Sequence, residues 1–137
     1  IDWMQELDER LDGSEHPEEN AKTDLGDFLL ELVAIRSAFD THLPIRNSLI
    51  AWDILTEILL SHYHDRPLQV KVLLSQLPHS RTGIDYHYRW LIDEGWIEIY
   101  PCCKDRRVRY ARPSERLLSQ VRVMFEGLEG RLHQFGH

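Results

Sequence analysis

Residues 91–112 read LIDEGWIEIYPCCKDRRVRYAR. Asp93-Glu94-Gly95 closes a helix, because glycine takes the left-handed conformation that a helix end prefers. Trp96 to Tyr100 then alternates and carries β-branched and aromatic side chains, as a strand does. Pro101 to Arg106 supplies a tight turn, and Arg107 to Arg112 returns with period two. The stretch predicts a helix end, a strand, a hairpin turn and a second strand. Its turn and return strand are strongly cationic, with Lys104, Arg106, Arg107, Arg109 and Arg112.

The flanking sequence extends the pattern. Arg81 to Glu94 places Ile84, Tyr88, Leu91 and Ile92 at helical spacing. A shorter helix over Leu68 to Gln76, with Pro67 in its first turn, buries Val70, Leu73, Leu74 and Leu77. Pro78-His79-Ser80 turns between the two. Asn47 or Ser48 caps a helix with Leu49, Trp52, Leu55, Ile58 and Leu59 inward, ending near Ser61 to Asp65. Thr23 or Asp24 caps a helix running to about His42. Its stripe is Leu25, Phe28, Leu29, Leu32, Val33, Arg36 and Phe39, and Leu43-Pro44 stops it. After the hairpin, Pro113-Ser114-Glu115 opens a last helix marked by Leu117, Leu118, Val121, Met124, Phe125, Leu128 and Leu132. At the start, Trp3, Met4, Leu7 and Leu11 form a short helical stripe, and Asp12 to Asn20 (DGSEHPEEN) is a polar break read as a mobile linker.

The expected fold is therefore mainly α with a small β-hairpin wing. Two unequal helices meet across a short turn just before the hairpin, the arrangement of a winged helix-turn-helix. Residues 1–22 form an acidic arm and linker. Residues 23–137 form one domain, with the winged helix over 46–112 and long flanking helices over 23–43 and 113–135.

The length of 137 residues suits one domain with a real core, and the 42% hydrophobic, 28% charged composition is that of an ordinary soluble protein. Asp53 and Glu57 interrupt the most apolar stretch, so no membrane span is expected. No signal pattern opens the chain, and the only cysteines are the adjacent Cys102 and Cys103. Both point to the cytoplasm. The net charge of −7 is unevenly spread. Residues 1–66 hold 5 Lys+Arg against 15 Asp+Glu, net −10, whereas residues 79–122 hold 9 against 6, net +3. Phosphate responds to local potential, screened over roughly 10 Å, so the basic half can still attract nucleic acid.

From about Asn47 to Leu118 the chain resembles the MarR family of winged helix-turn-helix transcriptional regulators. The resemblance rests on Leu91-Ile92-Asp93-Glu94-Gly95-Trp96-Ile97, on Lys104-Asp105-Arg106-Arg107, and on the junction Pro113-Ser114-Glu115-Arg116-Leu117. Cys102-Cys103 and a recognition helix heavy in Tyr and His depart from the family pattern. The resemblance implies a homodimer joined through the flanking helices, acting on double-stranded DNA in transcription. It also implies a small apolar or aromatic effector near Trp52, Phe28, Phe39 and His42, which are equally core residues. In the wing it implies that Arg107 enters the minor groove while Asp105 braces a nearby arginine.

Helical geometry places the other candidates. With Ile84, Tyr88 and Leu91 inward, Arg81, Thr82, Asp85, Tyr86 and Arg89 face outward towards a major groove, and Ser80 caps the helix where its hydroxyl can meet a phosphate. Arg89 is the candidate for a two-pronged guanine contact. Asp85 repels phosphate unless it pairs with Arg81 or Arg89 or accepts from a cytosine amine. Lys104, Arg106 and Arg109 lie where they can touch the DNA backbone. The alternative for the wing is a solvated cationic edge that blocks strand pairing.

Cys102-Cys103 is either an oxidant sensor, favoured by nearby cations, or two small side chains without a role. His62-x-His64-Asp65 lacks the spacing of a metal site, and no cofactor is expected. No phosphate-binding glycine loop, nucleophile elbow or HExxH motif is present, so an enzyme is not expected. The competing function is a winged-helix module for protein–protein contact, its acidic half docking a basic partner. RNA binding through the wing is a third reading.

Overall fold

The computed structural model describes residues 17–135, with side chains over residues 20–129. The helix expected over Ile1 to Leu11 lies outside them. Five helices and three strands are described: α1 Pro17–His42, α2 Leu49–Tyr63, β1 Leu68–Gln69, α3 Val70–Gln76, α4 Arg81–Asp93, β2 Ile97–Pro101, β3 Arg109–Pro113 and α5 Glu115–Phe135. The chain divides into two units, the first ending at Ser37 and the second running from Ala38.

The first helix begins earlier than its Thr23 or Asp24 cap suggests, so residues 17–20 are helix rather than linker. Proline has no amide to lose at a helix start, and two glutamates follow it, the charge that an N-terminal dipole favours. Much of the α1 apolar stripe faces outward, with Leu29 58% and Val33 65% exposed.

The second unit is built around α2. Its Ala51, Ile54, Leu55 and Ile58 are buried, as are Leu73, Leu91, Ile97 and Leu117 of the same core, and α2 packs against α4, β3 and β1. Leu49, expected inward, is 73% exposed. Lying two residues before Ala51, it points roughly 200° away from that face. Ser48 caps α2 by accepting from the Ala51 amide at 3.3 Å. Gly83 allows α4 to approach α2 closely, because a Cβ there would lie 2.7 Å from Ile50 Cδ1.

The hairpin pairs Ile97 with Pro113 and Pro101 with Arg109, so the first strand starts one residue later than expected. Arg107 and Val108 belong to the turn rather than the return strand. A third strand was not expected. Leu68 and Gln69, read as helix, are extended and pair antiparallel with Ala111 and Tyr110, giving the order β1-β3-β2. The pairing buries Leu68 and gives the second edge of β3 a partner, so α3 starts only at Val70.

At the end of α4 the Gly95 amide donates to Ile92 O at 3.0 Å and the Trp96 amide to Leu91 O at 2.9 Å. Gly95 has φ +78°, the left-handed geometry of a Schellman end. Gly95→Ala should lower unfolding stability by about 1 kcal/mol or more, because a Cβ is strained at that φ. Denaturant titration checks it. An unchanged midpoint would mean that the turn tolerates a side chain.

Candidate nucleic-acid interface

Helix α4 has two chemically distinct faces. Ile84, Tyr88 and Leu91 are buried in the second unit. Arg81, Thr82, Tyr86 and Arg89 are exposed and Asp85 is half-buried. Thr82, Asp85, Tyr86, Arg89, Trp90 and Asp93 line an open hollow along the helix. Ser80 starts α4, its Oγ accepting from the Gly83 amide at 3.2 Å while its own proton stays available to donate. Among the described residues Asp85 makes no ion pair with Arg81 or Arg89.

The wing carries its cations in two states. Asp105 brackets Arg107: its Oδ1 accepts from the Arg107 amide at 3.0 Å and from Nε at 3.2 Å, and its Oδ2 accepts from Nη2 at 3.4 Å. The arginine side chain and then its amide hold the Asp105 carboxyl below the usual carboxylate range. Lys104, Arg106 and Arg109 are exposed and form no ion pair among the described residues. On one face of the hairpin Arg112 donates to Glu98 at 3.3 Å and lies 4.6 Å from the Tyr100 ring, which stacks on Tyr110 at 5.6 Å. That column stiffens the strands.

Several contacts that position α4 join residues far apart in sequence, and none was singled out by sequence pattern. His79, in the turn before α4, contacts Asp53 of α2 at 2.5 Å between Nε2 and Oδ2. Ser48 Oγ lies 3.1 Å from His87 Nε2, and Arg46 sits 4.3 Å from the Trp90 ring. Arg46 and Asn47 both take positive φ, 54° and 56°. These left-handed residues turn the chain between α1 and α2 and bring Arg46 onto α4. After the wing, Arg116 donates to Glu94 O at 2.8 Å and lies 3.7 Å from the Trp96 ring.

The remaining candidates separate in the same way. Phe39 and Trp52, suggested around an effector, meet edge to face at 4.6 Å, and His42 bonds Gln120 at 3.3 Å. The His62 ring packs against Tyr63. Among the described residues no three His, Cys, Asp or Glu side chains converge as a metal-binding group. No described helix is long and apolar enough to cross a membrane.

No protein-family model matches the chain, and no curated protein matches it. Solved structures do. Transcriptional regulator PA4135 superposes with a TM-score of 0.53 at 15% identity, over 82% of this chain and 77% of its own. A mutant MarR from E. coli, solved in complex with operator DNA, superposes with a TM-score of 0.50 at 15% identity, over 88% and 84%. The fold is that of the MarR regulators. Within this MarR fold α3 and α4 form the helix-turn-helix and β2–β3 the wing.

His87 has a pH consequence. Burial first, and then the Arg46 charge, lower its pKa from the ordinary 6.5. A base with a lowered native pKa stabilises the fold above its unfolded pKa and loses that contribution as pH falls through and below about 6.5. The urea midpoint of the wild type should therefore drop on acidification, and His87→Gln should flatten part of that drop. Parallel pH profiles of the two proteins would contradict the assignment.

Proposed function

We propose that this chain is a double-stranded-DNA-binding transcriptional regulator that acts as a homodimer. The carrying observation is α4 itself. Its inner face is locked to α2 while Arg81, Thr82, Tyr86 and Arg89 stand outward on a helix capped by Ser80. That arrangement suits major-groove insertion, where a two-pronged arginine contact to guanine is worth roughly 1–3 kcal/mol of base discrimination. The Asp105 bracket gives Arg107 a narrowed range of rotamers, which suits insertion into a narrow minor groove of high negative potential. Lys104, Arg106 and Arg109, without carboxylate partners, suit phosphate.

The dimer is supported by apolar surface. Leu29 and Val33 on α1, and Val123 and Phe125 on α5, are exposed on helices of 26 and 21 residues. Such side chains on a lone chain invite a second copy. Two recognition helices spaced about 34–36 Å apart then meet successive turns of one duplex face. Sedimentation should show a dimer, and Leu29→Glu or Phe125→Glu should shift it towards monomer. A wild-type monomer at tens of micromolar would remove the dimer.

Selection of bound fragments from genomic duplex DNA tests the function. Neutralising roughly eight phosphates per dimer gives log K against log salt a slope of about −7. Arg107→Glu should weaken binding to all sequences, by about tenfold or more. Arg89→Ala should instead relax preference at one base position, at a cost of about 1–3 kcal/mol there. Equal loss from both on every sequence would contradict that division. A folded dimer that binds no duplex at low salt would favour the protein-interaction reading.

A further inference from the structure

The two cysteines stand where the wing turns. Cys102 follows the last residue of β2 and is half-buried, and Cys103 beside it is exposed. The Cys102 amide donates to Val108 O at 2.8 Å, closing the hairpin, and the Val108 amide donates to Asp105 O at 3.0 Å. Asp105 in turn holds Arg107. The dithiol and the arginine bracket therefore share one loop of seven residues, 102–108. A change of backbone at Cys103 is passed to Asp105 within two residues.

We propose that Cys102 and Cys103 form a peroxide-responsive dithiol site, whose closure to a vicinal disulfide disarms the wing. The proposal deepens the DNA-binding reading and rests on it for its output. Its chemistry needs a hydroperoxide as oxidant. The Cys102 thiolate attacks the terminal peroxide oxygen and forms an S–O bond. The O–O bond breaks, alkoxide or hydroxide departs, and the sulfur becomes a sulfenic acid, oxidised by two electrons. The Cys103 sulfur then attacks the Cys102 sulfur. An S–S bond forms, the S–O bond breaks, and the hydroxyl leaves as water with the Cys103 proton.

The surroundings assign the two roles. The backbone amide of Lys104, then that of Asp105, and also the Tyr110 hydroxyl favour the Cys102 thiolate, lowering its pKa from the ordinary thiol value against the opposing charge of Asp105. Oriented amides around an anion are the arrangement that activates a cysteine. Cys103, exposed next to it, resolves the sulfenic acid. Adjacent Cα atoms lie about 3.8 Å apart, whereas a relaxed disulfide spans about 4.4–6.8 Å. Ring closure must therefore distort the turn, at the expense of the Cys102–Val108 pairing and the Asp105 bracket. A strained, exposed disulfide is also readily reduced, so the change is reversible.

The test treats the full chain with hydrogen peroxide and reads mass, free thiols and duplex affinity separately. The wild type should lose two hydrogens per chain and both alkylatable thiols. Affinity for its selected duplex should fall about tenfold, as expected for lost wing contacts, and dithiothreitol should restore it. Cys103→Ser should stop at one added oxygen and be trapped by a 1,3-dione, and Cys102→Ser should react far more slowly than the wild type. Thiols that survive peroxide, a disulfide that links two chains, or Cys102→Ser reacting as fast as the wild type would overturn the site. A closed intrachain disulfide with unchanged affinity would overturn the coupling to the wing. Reduced protein that binds no duplex would overturn the regulator reading and that coupling with it, while the mass readout still decides the thiol chemistry.

Discussion

The carbonyl ends of α4 govern the second unit. A helix leaves its last carbonyls without intrahelical donors. Here the Gly95 and Trp96 amides take Ile92 O and Leu91 O, and Arg116 takes Glu94 O. The same turn aims the chain into β2, where Trp96 and Ile97 are buried. Arg116 then lies over the Trp96 ring, so the start of α5 is held to the turn it caps. Helix α4, the wing and α5 are thus joined through one hydrogen-bonded corner.

Around that corner the positive charges divide by what they touch. Arg46, Arg112 and Arg116 lie on aromatic rings, and Arg107 is held by a carboxylate. The first three hold parts of the fold together, whereas the exposed Arg107 is only oriented by its carboxylate. Arg81, Arg89, Lys104, Arg106 and Arg109 have no carboxylate among the described residues, although acidic side chains outnumber basic ones in the chain. An exposed ion pair contributes little to stability, so leaving these cations unpaired costs the fold little while keeping their field available to an anionic partner. The net charge of −7 therefore misdescribes this face.

What could be read from the residues alone was whatever a local rule dictates. Gly95 ends a helix because of its own φ, and Ser80 and Ser114 cap theirs through amides three residues away. The hairpin followed from period two and a turn. The α3–α4 pair followed from apolar spacing. The misses need partners distant in sequence. Leu68 and Gln69 are extended only because Ala111 and Tyr110 lie beside them, and two residues carry no periodicity of their own. Leu49 has the chemistry of a core residue, yet α2 is apolar on more than one face and only packing decides which is inside. Arg46, Ser48 and His87 meet across about 40 residues, a contact without a composition signal. The α1 start was missed because its glutamates resemble a linker as much as a first turn.

The short strand β1 has one further consequence. Strand β3 is hydrogen-bonded on both sides, to β2 within the hairpin and to Leu68–Gln69, and the next residue, Val70, begins α3. The wing is thereby sutured to the first helix of the helix-turn-helix as well as to the second. Its base cannot swing independently of either. Bending is left to the turn beyond the Cys102–Val108 hydrogen bond, residues 103–107, so the hairpin behaves as a cantilever with an anchored root and its freedom confined to the tip.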